Sequence, residues 1–108
     1  MDLSQARPLT PLPTRADDLA SWLHAITPVT RRGDLDVAVT GVSLSSARVV
    51  PGDLYAALPG SRAHGADFVE EALAAGAVVV LTDAEGASRV PEDVPTLVVD
   101  HPRRILGR

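Results

Sequence analysis

A glycine-flanked stretch in the middle of the chain has residue types suited to binding an anionic or carbonyl-rich ligand. Residues 59–65 read PGSRAHG, in which two glycines permit unusual backbone angles, Ser61 supplies a hydroxyl and Arg62 a planar cation. A guanidinium forms paired hydrogen bonds with phosphate groups or base carbonyls. The same composition is ordinary for a surface connection. Two interpretations therefore stand, a ligand-binding loop and a flexible connection.

A second polar cluster lies at residues 43–48, where SLSSAR contains three serines before an arginine. Hydroxyls at the end of a strand can hold a diphosphate, and they can also bond to their own backbone. Neither cluster has a nucleophile beside a histidine and an acid, or a spaced pair of carboxylates for acid-base catalysis. Asp53 follows Gly52 and suits a turn better than catalysis. We therefore interpret the chain as a binding domain with no catalytic residue.

Metal and covalent chemistry are disfavoured by the residues that are missing. The three histidines, His24, His64 and His101, fall on different predicted elements without the spacing of metal ligands, so no metal site is predicted. Cysteine is absent, which excludes disulfides and thiolate nucleophiles. All ten basic residues are arginine, so the chain has no lysine for a phosphate-binding P-loop or a Schiff base.

The composition indicates one globular domain that binds neither nucleic acid nor membrane. The chain has 108 residues, is 45% hydrophobic and carries a formal charge of −4, and its arginine pairs lie far apart. Its longest apolar run, 72–81, is about half of the roughly 20 residues that a membrane-spanning helix needs. No secretory signal follows the acidic Asp2. We expect a cytoplasmic protein.

The amino-terminal part predicts an extended tail followed by an amphipathic helix. Three prolines within residues 1–13 remove backbone donors and favour an extended conformation. Thr14 and Asp17 have the spacing of a helix cap, and apolar residues including Trp22 and Ile26 then recur at helical spacing as far as Thr27. The domain proper is therefore expected over residues 14–108.

The rest of the chain predicts an α/β fold. Strands are expected at 36–44, 54–58, 77–81 and 96–99, and a helix at 66–75 with Phe68 on its apolar face and Gly76 as its cap. The order gives a βαβ unit within a small open sheet with a largely parallel core, with helices packed on the sheet. Ligands of such sheets bind beyond the carboxyl ends of the strands.

The last residues, DHPRRILGR, predict a helix that starts near Pro102 and has little room to continue. Helices average about 11–12 residues, so we expect the chain to be cut from a longer protein. A stand-alone α/β binding module is the alternative.

Short motifs follow one another in order from residue 39: VTGVS, SSA, PGDLY, ALPG, HG, a phenylalanine and GA. In this order they resemble the amino-terminal domain of the Mur ligases, the ATP-dependent enzymes of peptidoglycan precursor synthesis. The resemblance covers residues 38–108. It is closest to the ligases that add the third residue, diaminopimelate or lysine, to UDP-N-acetylmuramoyl-L-alanyl-D-glutamate. The ligases that add D-alanyl-D-alanine are the alternative.

The resemblance implies that this domain holds the UDP part of the substrate. Leu44 and Ser46 would contact the uridine-diphosphate end, and Ser61, Arg62 and Ala63 would form a second loop around the nucleotide. The chain departs from the family pattern at Ser45, Ala47 and His64, where the family has an acid, an arginine and an acid. The roles of those three positions, and of Arg48, which directly follows Ala47, stay open.

The resemblance also implies that the chemistry belongs to other parts of the whole enzyme. In the family, a central domain with a phosphate loop binds ATP, and a third domain selects the incoming amino acid. Magnesium and ATP support formation of an acyl phosphate, which the amine attacks. The sequence ends before such a central domain. We therefore expect no ligase activity from the 108 residues alone.

Overall fold

A computed structural model describes residues 14–60 and 63–106. The predicted tail, residues 1–13, lies outside the described residues, and so do Ser61, Arg62 and the last two residues. Among the described residues, no helix is both long enough and apolar enough to cross a bilayer.

The structure contains seven short strands and four α-helices within its described ranges. The strands are β1 Thr14–Arg15, β2 Thr30–Arg32, β3 Ala38–Val39, β4 Gly41–Ser43, β5 Asp53–Ala56, β6 Val79–Thr82 and β7 Thr96–Val98. The helices are α1 Ala16–His24, α2 Val69–Ala74, α3 Ala84–Ala87 and α4 Pro102–Leu106. Two 3-10 turns, at Ser46–Arg48 and Gly65–Phe68, precede β5 and α2 respectively.

Five of the strands form one sheet in the order β2-β7-β6-β5-β4. The strands β4, β5, β6 and β7 are mutually parallel, and β2 pairs antiparallel with β7 at the edge. The predicted α/β class, the βαβ unit from β5 through α2 to β6 and the largely parallel core are thus confirmed. The antiparallel edge strand β2 was not predicted, because Thr30–Arg32 is too short and too polar to show a strand pattern.

The central strands are buried on both faces, so alternate residues enter two different cores. On one side, Leu54 and Ala56 of β5 pack with α1 residues such as Ala20 and Leu23. On the other side, Tyr55 and Ala57 pack beneath the second 3-10 turn and α2. Because both of their faces are buried, β5 and β6 read as continuous apolar runs instead of alternating ones.

The predicted strand 36–44 is in fact two strands in different sheets. β3 pairs with β1 in a separate two-stranded sheet, whereas β4 joins the main sheet beside β5. Between them, the Thr40 N–H bonds to the Gly52 carbonyl instead of to a neighbouring strand. One alternating pattern therefore covered two strands, because alternation does not reveal which partner each residue has.

The predicted first helix is present, but its start and its buried stripe differ from expectation. Thr14 pairs within β1, and Arg15 takes the capping position with no side-chain bond to the helix, so the predicted cap is wrong. Trp22 is 63% exposed and Ile26 42% exposed. Small residues, Ala16 and Ala20, lie against the sheet instead. Leu23 of the predicted pattern is buried beside them, whereas Trp22 and Ile26 face away from the sheet.

The helix predicted at 66–75 begins as the 3-10 turn and continues as α2. Its predicted end is confirmed, since Gly76 has a φ of +113° and a β-carbon there would lie 2.5 Å from the Pro51 backbone. Phe68, which the pattern placed on the buried face, is 48% exposed. The 3-10 geometry of this first turn changes the angular spacing and turns the ring outwards.

Replacing Leu97 by alanine tests the packing of the core between the sheet and α1. Leu97 is fully buried in β7, so Leu97→Ala is expected to lower the free energy of unfolding by about 2–5 kcal/mol. The control Trp22→Ala removes a larger but mostly exposed side chain and is expected to cost less than about 0.5 kcal/mol. Urea unfolding followed by circular dichroism measures both, and equal losses would contradict this packing.

Candidate functional site

A cavity of about 470 Å³ lies beyond the carboxyl ends of the parallel strands β4 and β5. Its walls come from the segment after β4, the loop after β5, the start of α2 and the helix α4. The lining residues are Leu44, Ser45, Ser46, Tyr55, Leu58, Ala63, Gly65, Phe68, Glu71 and Arg103. This is the edge of the sheet at which the sequence predicted a ligand site.

Three of the five predicted site residues line this one cavity. Leu44 and Ser46 come from the segment after β4, and Ala63 comes from the loop after β5. Leu44 is 58% exposed, so an apolar side chain faces open space at the rim of the cavity. Ser61 and Arg62 lie outside the described residues. Within the described ranges, the two polar clusters singled out in the sequence therefore meet at one place.

The loop after β5 is closed tightly at its base. Pro59 and His64 form an isolated antiparallel bridge, and the Gly65 N–H donates to the Leu58 carbonyl at 2.7 Å. A β-carbon on Gly65 would lie 2.8 Å from the Leu58 nitrogen, closer than real side chains approach. Only glycine permits this contact. The loop is therefore tied to the end of β5, which argues against the flexible-connection interpretation for the described part of it.

The serine cluster divides between the two roles considered for it. The Ser43 hydroxyl donates to the Ser45 carbonyl at 2.9 Å and accepts from the Ser45 N–H, so it satisfies its own backbone. The Ser46 hydroxyl instead donates to the carboxylate of Glu71 on α2. Ser46 is thereby held against the cavity wall. Asp53 is also structural, because its carboxylate accepts from the Val50 N–H at 3.0 Å, as the turn interpretation predicted.

Tyr55 joins the core to the floor of the cavity. Its ring is buried, and its hydroxyl donates to the Gly65 carbonyl at 2.8 Å. Burial and the negative charge of Glu71 raise the pKa of Tyr55 above its ordinary value. The phenol therefore keeps its proton at neutral pH and remains bound to the loop.

His64, whose role the sequence left open, belongs to a buried polar pair behind the loop. Its Nδ1 accepts from the Ala66 N–H at 2.9 Å, and its Nε2 lies 2.8 Å from Asp83 Oδ1. Because Nδ1 is an acceptor, Nε2 must carry the proton and donate it to the carboxylate. His64 is only 6% exposed, so it fixes the loop in place and is not available to a ligand or metal.

Asp83 in turn caps α3, a short helix that was not predicted from the sequence. Its carboxylate accepts from the Gly86 N–H at 2.8 Å. Burial acts to raise the pKa of Asp83, but the bonds from Gly86 and His64 outweigh burial and lower the pKa below its ordinary value. Gly86 leaves the space that this arrangement needs, since a β-carbon there would lie 2.0 Å from the Thr82 hydroxyl.

Sequence reasoning missed three polar residues that line the cavity. Tyr55 was assigned to a strand, Glu71 to the polar face of a helix and Arg103 to the last predicted helix, and none was given a role at the site. Arg103 donates to the Pro59 carbonyl at 2.8 Å, which brings α4 against the loop. The one available signal was the rule that parallel strands share an edge, which predicts the place but not the residues.

The described residues contain no group of three or more histidine, cysteine, aspartate or glutamate side chains with the geometry of a metal site. Both ring nitrogens of His64 are occupied by protein partners.

Comparison with known proteins identifies a family. The family model described as "Mur ligase family, catalytic domain" matches residues 38–108. A relative from Streptomyces avermitilis, named UDP-N-acetylmuramoyl-L-alanyl-D-glutamate--2,6-diaminopimelate ligase, is 49% identical over 94% of this chain. Another from Leifsonia xyli, named UDP-N-acetylmuramyl-tripeptide synthetase, is 51% identical over 70% of the chain. The chain spans only 19% and 15% of these two relatives.

Solved structures support the fold. A crystal structure of MurF from Acinetobacter baumannii matches 90% of this chain with a TM-score of 0.69 and 24% identity, over 20% of its own length. A MurF ligase from Thermotoga maritima in complex with ADP matches 60% of the chain, and 14% of its own length, with a TM-score of 0.51 and 28% identity. The family model and the Streptomyces avermitilis relative confirm the family resemblance inferred from the motifs.

Replacing Asp83 by asparagine tests the pair behind the loop. A carboxyl group whose pKa is lowered by folding stabilises the fold fully above its unfolded pKa of about 3.9, and this stabilisation is lost as the pH falls through the folded pKa. The wild-type free energy of unfolding should therefore decrease on acidification below about pH 5. Asp83→Asn should flatten this decrease, because asparagine does not titrate.

Urea unfolding between pH 6 and pH 3 measures the effect. Asp18→Asn is the control, since Asp18 is an exposed carboxylate on α1. If both substitutions flattened the pH dependence equally, the pairing of Asp83 with His64 and Gly86 would not be its source.

Proposed function

Because this chain belongs to the Mur ligase family, we propose that it holds the UDP end of a UDP-N-acetylmuramoyl-peptide substrate. The observation that carries the proposal is the meeting of Leu44, Ser46 and Ala63 in one cavity at the carboxyl edge of the sheet. These residues come from two separate segments. Ser61 and Arg62 complete the proposed set as part of the loop between Gly60 and Ala63.

The substrate proposed is UDP-N-acetylmuramoyl-L-alanyl-D-glutamate, to which the intact enzyme adds the third peptide residue in peptidoglycan precursor synthesis. The names and the high identity of the Streptomyces and Leifsonia relatives support this MurE-type activity. The MurF-type alternative, addition of D-alanyl-D-alanine, rests on structural neighbours of 24–28% identity. Which residue is added, diaminopimelate or lysine, is decided in the family by a part of the enzyme other than this domain.

ATP and magnesium are proposed as cofactors of the intact enzyme, bound outside these 108 residues. The chain lacks the lysine of a phosphate loop, and its described residues lack a cluster of metal ligands. Its role is to bind and orient the substrate for the other domains of the same polypeptide. We propose that the enzyme acts in the cytoplasm and uses a small-molecule substrate, not nucleic acid or membrane.

Binding of UDP-N-acetylmuramoyl-L-alanyl-D-glutamate to the chain, measured by calorimetry, tests the site. Leu44→Ala removes exposed apolar surface that the nucleotide would cover, and we expect about tenfold weaker binding. Val42→Ala is the matched control, because Val42 is similarly exposed at 56% but does not line this cavity. Equal affinities of the two variants would contradict the proposed site.

Catalysis by the isolated chain is a separate test. With the substrate, ATP, magnesium and diaminopimelate or lysine, we expect no tripeptide product and no ADP release. The full-length protein should form the product from the dipeptide substrate. Product formed by the 108 residues alone would overturn the division of roles proposed here. A full-length protein that accepts only the tripeptide substrate and D-alanyl-D-alanine would establish the MurF-type alternative.

A further inference from the structure

Two hydroxyl side chains on one wall of the cavity have already used their protons. The single hydroxyl proton of Ser46 is donated to Glu71, and that of Tyr55 is donated to the Gly65 carbonyl. The carboxylate of Glu71 has acceptor atoms only. The part of this wall formed by Ser46, Tyr55 and Glu71 therefore offers a ligand lone pairs and no side-chain proton. A group bound against it must bring its own N–H or O–H.

The opposite electrostatic character is found elsewhere in the same cavity. Arg103 is the only cationic side chain among the described residues that line it. One of its N–H groups is donated to the Pro59 carbonyl, and a guanidinium has five such donors, so others remain. The cavity thus has an acceptor wall on the side of α2 and a donor on the side of α4.

A uridine diphosphate has the matching polarity along its length. Its ribose hydroxyls and its imide N–H are donors, whereas its diphosphate carries only negative charge and acceptors. Placing the diphosphate beside Glu71 would set like charges together, which costs binding energy. Placing the nucleoside there satisfies both partners with charge-assisted hydrogen bonds.

Resting on the function proposed above, we propose that Glu71 is a specificity-determining residue. Its carboxylate, together with the Ser46 hydroxyl that it orients, accepts hydrogen bonds from the N–H or O–H groups of the nucleoside and directs the diphosphate towards Arg103. Ser46 accordingly serves the nucleoside as an acceptor and does not donate to a phosphate. Glu71 thereby selects both the class of ligand and its direction in the cavity.

Replacing Glu71 tests the proposal, because a favourable role predicts weaker UDP binding and a merely repulsive carboxylate predicts tighter binding. Glu71→Ala removes the acceptor, and Glu70→Ala is a charge-matched control, since Glu70 is an exposed neighbour that does not line the cavity. Glu71 is exposed on a helix and alanine favours helices, so the variant should fold. We expect UDP to bind Glu71→Ala about tenfold more weakly than Glu70→Ala. Binding as tight or tighter would overturn the proposal, because the carboxylate would then only repel the anion.

Two analogues identify which donor is accepted. Calorimetry with 2′-deoxyuridine diphosphate and 3-methyluridine diphosphate compares loss of a ribose hydroxyl with loss of the imide N–H. One analogue should bind the wild-type chain about tenfold more weakly than UDP and bind Glu71→Ala as well as UDP does. Analogue losses of the same size in both proteins would overturn the role of Glu71.

Inorganic diphosphate separates this inference from the function on which it rests. If the wild-type chain bound UDP no better than inorganic diphosphate, the proposed nucleotide site itself would fail. If the wild type preferred UDP while Glu71→Ala and Glu70→Ala behaved alike, only the role of Glu71 would fail.

Discussion

The geometry of the site depends on the bond between the Gly65 N–H and the Leu58 carbonyl. This contact requires a residue without a β-carbon, and it returns the loop onto the strand it has just left. Around it gather the Pro59–His64 bridge and the Tyr55 hydroxyl on the Gly65 carbonyl. The loop is held from three sides before any ligand arrives. The described ends of the loop are thus ordered without a ligand, and ordered groups would lose less conformational entropy if a ligand bound there.

The site is also continuous with the core of the domain. Alternation along β5 places Tyr55 under α2, with its ring among buried residues and its hydroxyl at the cavity floor. On the far side of the loop, His64 and Asp83 join the loop to α3. Burial and Glu71 raise the pKa of Tyr55, whereas the bonds from Gly86 and His64 lower the pKa of Asp83. The packing of the core therefore also fixes the positions of the residues that form the site.

Sequence patterns predicted the parallel core well, because strands buried on both faces and a helix closed by Gly76 leave clear signals. They failed where partners decide the structure. The run at 36–44 divides between two sheets, Trp22 faces outwards, and the antiparallel strand β2 carries no apolar pattern. At the site, motif resemblance brought Leu44, Ser46 and Ala63 together, whereas Glu71 and Arg103 required tertiary contacts to be recognised. A pattern within one segment does not predict which other segment that segment will contact.

The two edges of the main sheet, β2 and β4, bear on the risk of aggregation. An edge strand presents unpaired backbone groups on which a strand from another molecule can add. Both edges here are only three residues long, Thr30–Arg32 and Gly41–Ser43, and β2 carries two arginines. At β4 the exposed Val42 gives no such charge, and among the described residues the short length of the strand is what limits pairing. The short edge strands limit the addition of strands from other molecules. The apolar strands β5 and β6, on which a foreign strand could pair more extensively, lie in the centre of the sheet.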